Sequence, residues 1–299
     1  MTVQLRSALA GVGVTPVTPF THDLTRIDRS ALADNLSYLV ESGVGLLYVG
    51  GNTGEAFSLA PEEWTVLVET ALDVAGDALV VPGIGHEYPV SLQMARRARQ
   101  LGVAGVLALP RQQPYVASAG LCGFWRSIID EAGLPAVVYK RGLPDDQHLG
   151  TLLDHPLIVG CKYAERDIAR FRRTVAQDDS GVLWTCGIAE RYAPFFHLAG
   201  SVGFTSGLAN FAPHLALEMQ IALEKGDMER ALSIRERCLD FEDIRARHGD
   251  AYNVAAVKAA METVGLKGGG VRPPLIEIDE QTRLRVGEAA ARMTQEQSS

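Results

Sequence analysis

Two stretches decide how this chain folds: PAVVYK, residues 135–140, and LIVGCK, residues 157–162. Each is a nearly unbroken apolar run, not an alternation of apolar and polar residues. An alternating strand has one wet face. A continuous apolar strand is buried on both faces, as in a parallel sheet covered by helices. Six more runs of this kind lie on either side: GVTPV (13–17), LLYVG (46–50), LVVPGI (79–84), GVLALP (105–110), VLWTCG (182–187) and SVGFTS (201–206).

Helical patterns fill the gaps. Residues 28–40 place Leu32, Leu36, Leu39 and Val40 on one face, and Pro61-Glu62-Glu63 reads as a first helical turn, with Pro at N1 and acids at the helix start. Residues 91–101, 120–132 and 168–176 continue the series. Eight strand–helix units make a (β/α)8 TIM barrel in the α/β class the economical reading; a doubly wound open sheet is its rival. The expected division is a barrel over residues 1–225 that carries the active site, and a C-terminal helical extension over 226–299. Residues 228–241 and 254–264 read as amphipathic helices of that extension. GLKGGGVRPP (265–274) is a turn-rich break, and the terminal TQEQSS is expected to fray.

Composition narrows the function. The chain has 299 residues, 47% hydrophobic and 21% charged, which is ordinary globular usage. With 28 basic and 36 acidic residues the net charge is −8, a poor match to nucleic acid or an anionic membrane surface. The N-terminus has no long apolar run of the signal-peptide kind, and no run is long enough to span a membrane. Cys122, Cys161, Cys186 and Cys238 form no C-x-x-C pair, so a reducing, cytoplasmic setting is expected. The seven His residues are scattered without ligand spacing, so no metal site is expected.

If the barrel is right, the C-terminal ends of its strands form the functional face. Those ends carry Thr18, Gly51-Asn52-Thr53, Gly85, Arg111, Tyr139, Lys162, Gly187 and Ser206. Lys162 in an apolar barrel mouth would be desolvated, which lowers its pKa and frees an amine able to form a Schiff base with a 2-oxo acid. The bland alternative is a lysine that snorkels to solvent or pairs with Glu165. Tyr139, on the neighbouring strand, could point its phenol at the amine and move protons; alternatively it is an ordinary core tyrosine. The glycine loop GGNTGEAFSL (50–59) offers Thr53 and backbone N–H groups as an anion nest for a substrate carboxylate, or is simply a tight strand-to-helix turn. Glu55 reads as structural, satisfying loop N–H groups. Arg141 is either a bidentate clamp for a second carboxylate or a surface arginine. Cys161 and Cys186 read as small hydrophobes.

GVTPVTPF near the start, GNTGEAFSL, the Tyr of VVYK, GCK, and GFTSGLANFAP together resemble the dihydrodipicolinate synthase / N-acetylneuraminate lyase superfamily, in order and over nearly the whole chain. The resemblance implies a Schiff-base (β/α)8 lyase with a C-terminal helical extension, commonly a homotetramer and needing no metal. It implies that Lys162 is the Schiff-base lysine and Tyr139 the proton relay. Gly51, Asn52 and Thr53 would hold the substrate carboxylate, and Gly187, Thr205 and Ser206 would line the pocket. No cofactor is implied beyond the covalent bond on Lys162.

Departures from the synthase pattern bear on the subfamily. Asn52 stands where synthases have a relay threonine, Arg111-Gln112 stand near the place of their tyrosine pair, with Tyr115 as a distant substitute, and Lys140 replaces the usual Asn. IRARHGDAYNVAAVKAAMETVGLKGGGVRPPL (244–275) resembles the corresponding segment of 5-dehydro-4-deoxyglucarate dehydratases, which also have an Arg two residues after the Tyr. Those enzymes dehydrate and decarboxylate a 2-oxo-3-deoxy sugar diacid to 2-oxoglutarate semialdehyde. The expectation is therefore a sugar-acid dehydratase, with a small 2-oxo acid as its partner and a homo-oligomeric state, tetramer or dimer. A pyruvate-releasing aldolase and a dihydrodipicolinate synthase-like enzyme are the alternatives within the class; a non-catalytic 2-oxo-acid binder is the alternative outside it.

Overall fold

The computed structural model describes residues 1–111, 113–143 and 146–295. Gln112 and the last four residues of TQEQSS lie outside them, so the readings placed there stand as expectations. Nine strand segments form one parallel sheet: β1 Val12–Val14, β2 Leu46–Leu47, β3 Leu79–Val80, β4 Gly83–Ile84, β5 Val106–Ala108, β6 Ala136–Lys140, β7 Ile158–Tyr163, β8 Leu183–Cys186 and β9 Gly203–Ser206. The helices are α1 Thr2–Leu9, α2 Arg29–Glu41, α3 Pro61–Val74, α4 Tyr88–Leu101, α5 Ser118–Ala132, α6 Leu149–Leu153, α7 Ile168–Gln177, α8 Ala193–Leu198, α9 Pro213–Glu224, α10 Met228–Arg245, α11 Arg247–Asp250, α12 Asn253–Glu262 and α13 Glu280–Gln295.

The sheet order runs β3-β2-β1-β9-β8-β7-β6-β5-β4. Its two ends are halves of one run, LVVPGI, split at Val81-Pro82 because proline has no N–H to give the ladder. Hydrogen bonds continue through the split on both edges. Val81 and Gly83 donate to the carbonyls of Leu47 and Val49, and Leu107 donates to the Pro82 carbonyl. The sheet therefore closes on itself as an eight-stranded barrel, and the open-sheet rival is excluded. The ladders are shorter than the apolar runs, but every run contributes one.

Side chains divide by strand parity. Leu46, Tyr48, Val81, Leu107, Val137 and Tyr139 face into the barrel, while a larger apolar shell joins the outer strand faces to the helices. The helices start where their caps dictate. Asp28, Asp167 and Asp227 each accept a backbone N–H at the heads of α2, α7 and α10. Among the described residues no helix is long and apolar enough to cross a membrane.

Helix α1 departs from the expectation, in which the first element is the apolar run that starts at residue 13. It drives Leu5 and Leu9 into the barrel floor, where both are essentially fully buried in the interior cluster. Gly105 and Gly160 make room, since a Cβ on them would lie 2.8 Å from Leu5 Cδ2 and 2.7 Å from Leu9 Cδ1 respectively. Replacing Leu9 by Ala should therefore destabilise the protein by about 2–4 kcal/mol, because it opens a cavity the closed barrel cannot collapse. Thermal or urea unfolding checks this; an unchanged midpoint would make α1 an ornament on the barrel and not its floor.

Candidate active site

Parity and register bring the two reactive side chains together. β6 and β7 pair in parallel with Tyr139 opposite Lys162, and Lys162 in turn pairs with Thr185 on β8. The β6–β7 register shifts between Ala136, opposite Ile158, and Val137, opposite Gly160. The extra residue is Val159. Val159 faces the interior and Gly160 lies against Leu9, so two consecutive residues point inward. This irregularity lets both Val159 and Lys162, three positions apart, face the barrel axis, as bulges beside functional sites commonly do. Cys161 and Tyr163 then face outward among the helices, and Cys186 joins them there as a buried thiol.

Lys162 is buried, with its Nζ 4.4 Å from the centre of the Tyr139 ring and 5.6 Å from that of Tyr48. Burial, and then the nearby Arg141 guanidinium, pull its pKa down from 10.5 to about 7. The suggested ion pair with Glu165 does not form. Glu165 instead accepts from Lys140 at 2.7 Å and from Arg170 at 3.2 Å. Lys140 faces outward by parity, is fully buried, and also pairs with Asp146 at 3.1 Å. Its charge is thus neutralised outside the barrel.

The expectation that Tyr139 points its phenol at the amine is corrected. The amine rests over the ring face, and no hydrogen bond joins the two among the described residues. The phenol oxygen instead accepts from Asn52 Nδ2 at 3.2 Å, and the Arg141 guanidinium lies near enough for its charge to interact with the phenol. The Asn52 amide takes a lone pair, which leaves the phenol's own O–H available for a bound molecule.

The glycine loop is braced from two sides. Thr18 Oγ1 donates to the Gly54 carbonyl at 2.7 Å. Glu55, left-handed at φ 55° and buried, accepts the Arg272 backbone N–H at 2.9 Å and pairs with Lys258 Nζ at 2.5 Å. Glu55 is structural as expected, but the N–H it satisfies belongs to the C-terminal segment and not to its own loop. Arg272 adds hydrogen bonds to the carbonyls of Leu24 and Ser58 and a two-pronged pair with Glu63.

Among the described residues, the backbone N–H groups of Asn52 and Thr53 donate to no protein acceptor. Gly51 N–H does, to Tyr48 O at 3.3 Å, and Gly51 stands behind the pocket wall against Thr15. The loop N–H groups that face the pocket without a protein acceptor are thus those of Asn52 and Thr53, and Gly51, expected among them, does not line the pocket. Gly85 is likewise packed against Leu109 and does not line the pocket.

The cavity over these residues has a volume of about 620 Å³, room for a six-carbon acid. Asn52, Thr53, Tyr139, Arg141, Lys162, Gly187, Thr205 and Ser206 all line it. Gly187 is needed for close approach, since a Cβ there would lie 3.0 Å from Lys162 Cγ and 2.8 Å from the Tyr163 carbonyl. Thr205 Oγ1 donates to the Cys186 carbonyl, and Ser206 Oγ accepts from Ala209 N–H. Arg111 reaches the wall and pairs with Glu87 at 3.2 Å, while Tyr115 is almost fully exposed and takes no part in this pocket.

Several wall residues are not among the strand-end residues expected from the sequence. His86, two residues past the run 79–84, is buried and held below its ordinary pKa mainly by desolvation. Arg166, Asp250 and the Arg245–Glu242 pair at 2.5 Å close the far side. Behind that pair, Glu190 is fully buried, and burial followed by the charge of Glu242 pushes its carboxyl up to about 7.

Known proteins give this arrangement a context. A family model described as the dihydrodipicolinate synthetase family matches residues 8–293. A probable 5-dehydro-4-deoxyglucarate dehydratase of Saccharopolyspora erythraea is 33% identical over 279 residues, covering 89% of this chain and 87% of that protein. One from Chelativorans sp. is 30% identical, covering 91% and 92%. The crystal structure of dihydrodipicolinate synthase from Bacillus clausii superposes with a TM-score of 0.92 at 33% identity, covering 96% of this chain and 98% of that one. A sialic acid aldolase of Ruminococcus gnavus, at 22% identity and a TM-score of 0.88, shares the fold. A match of this length in both sequence and fold makes the chain a member of the dihydrodipicolinate synthetase family, and with it a carbon–oxygen or carbon–carbon lyase.

Proposed function

We propose that Lys162 forms a Schiff base with the C2 carbonyl of a 2-oxo acid, and that the physiological substrate is a 5-dehydro-4-deoxyglucarate-type sugar diacid from which the protein removes water. The observation that carries this reading is the position of Lys162: a buried amine with its pKa drawn to about 7, beside a phenol and an unspent pair of backbone donors. A neutral amine is the nucleophile, and a site that holds it neutral near pH 7 has little other use for it.

The substrate's C1 carboxylate fits the N–H groups of Asn52 and Thr53, which sets its C2 carbonyl before Lys162. Attack by Nζ and loss of water give the iminium, which acidifies the C3 protons. A C3 proton is taken up, the electron pair moves into the C3–C4 bond, and the C4 hydroxyl leaves as water after gaining a proton. Tyr139, with its O–H free and its oxygen braced by Asn52, is the group suited to these transfers. Arg141 also suits the distal carboxylate of a diacid. The reaction needs no cofactor, because the iminium is itself the electron sink.

The names of the relatives support the dehydratase branch over the aldolase branch. Four buried cysteines in a large chain accord with a reducing, cytoplasmic setting, and a homo-oligomeric state accords with the family.

Incubation with 5-dehydro-4-deoxyglucarate or with pyruvate, borohydride reduction and peptide mapping should give a single adduct on Lys162. Lys162→Ala should abolish both adduct and turnover; turnover that survives would sink the mechanism. Analysis of the products decides the branch, since release of pyruvate would replace the dehydratase with the aldolase. Tyr139→Phe should keep the adduct but lower turnover about a hundredfold or more, the usual worth of a positioned acid–base group. An unchanged rate would make Tyr139 a packing residue.

A further inference from the structure

The arginines on the pocket wall are not equally committed. Arg111 pairs with Glu87, Arg191 with Asp243, and Arg245 with Glu242. Arg141 and Arg166 differ. Among the described residues they share a single carboxylate, Asp250, which Arg166 Nη2 contacts at 2.9 and 3.2 Å and Arg141 Nη2 approaches to 4.0 Å. Two guanidinium groups against one carboxylate leave an excess positive charge at this end of the cavity. Both arginines keep substantial exposure, 44% and 62% of the side chain, so a ligand can reach them.

Asp250 is also held in an unusual way. His248, Gly249 and Asp250 run consecutively through the left-handed region, at φ 52°, 68° and 70°. His and Asp enter this region more readily than most side chains, but three such residues in a row are unusual and mark a geometry imposed by the surroundings. The result is a carboxylate held at the pocket rim from the end of α11, a kinked single turn between α10 and α12, facing arginines that follow β6 and β7.

We infer that Arg166 is a specificity-determining residue that, with Arg141, grips the distal carboxylate of a 2-oxo diacid, and that Asp250 is its built-in counter-ion, exchanged for that carboxylate on binding. In the free protein Asp250 keeps two like charges together and oriented. When a diacid enters, its far carboxylate takes over part of the guanidinium hydrogen bonding, and a chain with a neutral terminus gains nothing comparable. The inference extends the proposed function by naming Arg166 and Asp250 as the groups that read the far end of the substrate, and it rests on the Schiff-base reading for the near end.

Two probes of equal length isolate the far end: 2-oxoadipate, which ends in a carboxylate, and 2-oxohexanoate, which ends in a methyl group. Calorimetry measures the affinity of each for the unsubstituted protein, Arg166→Gln and Asp250→Asn. Borohydride trapping of the same mixtures reports whether an imine forms. The unsubstituted protein should prefer 2-oxoadipate by about tenfold or more, the worth of one charge-assisted hydrogen bond. Arg166→Gln should remove most of that preference and leave 2-oxohexanoate unchanged, whereas Asp250→Asn should tighten 2-oxoadipate several-fold. Equal affinities in the unsubstituted protein, or an Arg166→Gln loss that falls on both probes alike, would overturn the clamp. Preference without any adduct on Lys162 would keep the clamp and reject the Schiff base; an adduct without preference would do the reverse.

Discussion

The parallel pairing of β6 with β7 sets Tyr139 opposite Lys162, and the irregularity at Val159 decides that Lys162 faces inward at all. Strand parity is binary. A slip of one residue sends every side chain of a strand to the other face. Without the extra residue in β7, either Val159 would leave the packed floor or Lys162 would join the outer shell beside Cys161 and Tyr163. The barrel thus obtains a dry floor, sealed by Leu5 and Leu9, and a reactive mouth from the same strands. Gly187 on the far side of Lys162 completes the arrangement by leaving its aliphatic stem unobstructed.

Charges around the mouth are handled in three layers. Outside the barrel, Lys140, Glu165, Asp146 and Arg170 neutralise one another and tie together the segments that follow β6 and β7. Beneath the glycine loop, the buried Glu55–Lys258 pair and the many bonds of Arg272 lock the loop to the C-terminal segment. Buried ion pairs gain little net stability over apolar packing, so their value here is positional: they fix where Asn52 and Thr53 present their N–H groups. Within the pocket itself, positive charge is left in excess around Arg141 and Arg166. The Arg141 part of that excess, after burial, disfavours a charged Lys162, and the whole of it favours an anionic ligand.

Much of this was legible in the amino-acid sequence, for identifiable reasons. Apolar runs buried on both faces announce parallel strands, and strand ends announce the catalytic face, so Tyr139, Lys162, Asn52 and Gly187 could be named from position alone. What stayed hidden depends on features with no local signal. Helix α1 is eight residues long with no side-chain cap, so nothing in residues 2–9 marks it. His86 lies one residue beyond the strand end at Gly85, where its pocket-lining place has no strand signal. Arg166 and Asp250 lie 84 positions apart and meet only because the loop after β7 and the α10–α12 connection converge. Lys140 looked like a lost site residue, whereas parity turns it outward.

The central claim is that the fold makes Lys162 a neutral amine near physiological pH. Competitive labelling of all amines with trace acetic anhydride between pH 5 and 10, read at each lysine by mass spectrometry, tests it without assuming a substrate. Burial and the Arg141 charge lower the pKa, so the reactivity of Lys162 should rise through a midpoint near pH 7 and level off above it. In Arg141→Gln, with one neighbouring positive charge removed, the midpoint should move upward. A Lys162 midpoint near the ordinary 10.5 would contradict the account at its root, because the amine would then be protonated under the conditions in which it is held to act.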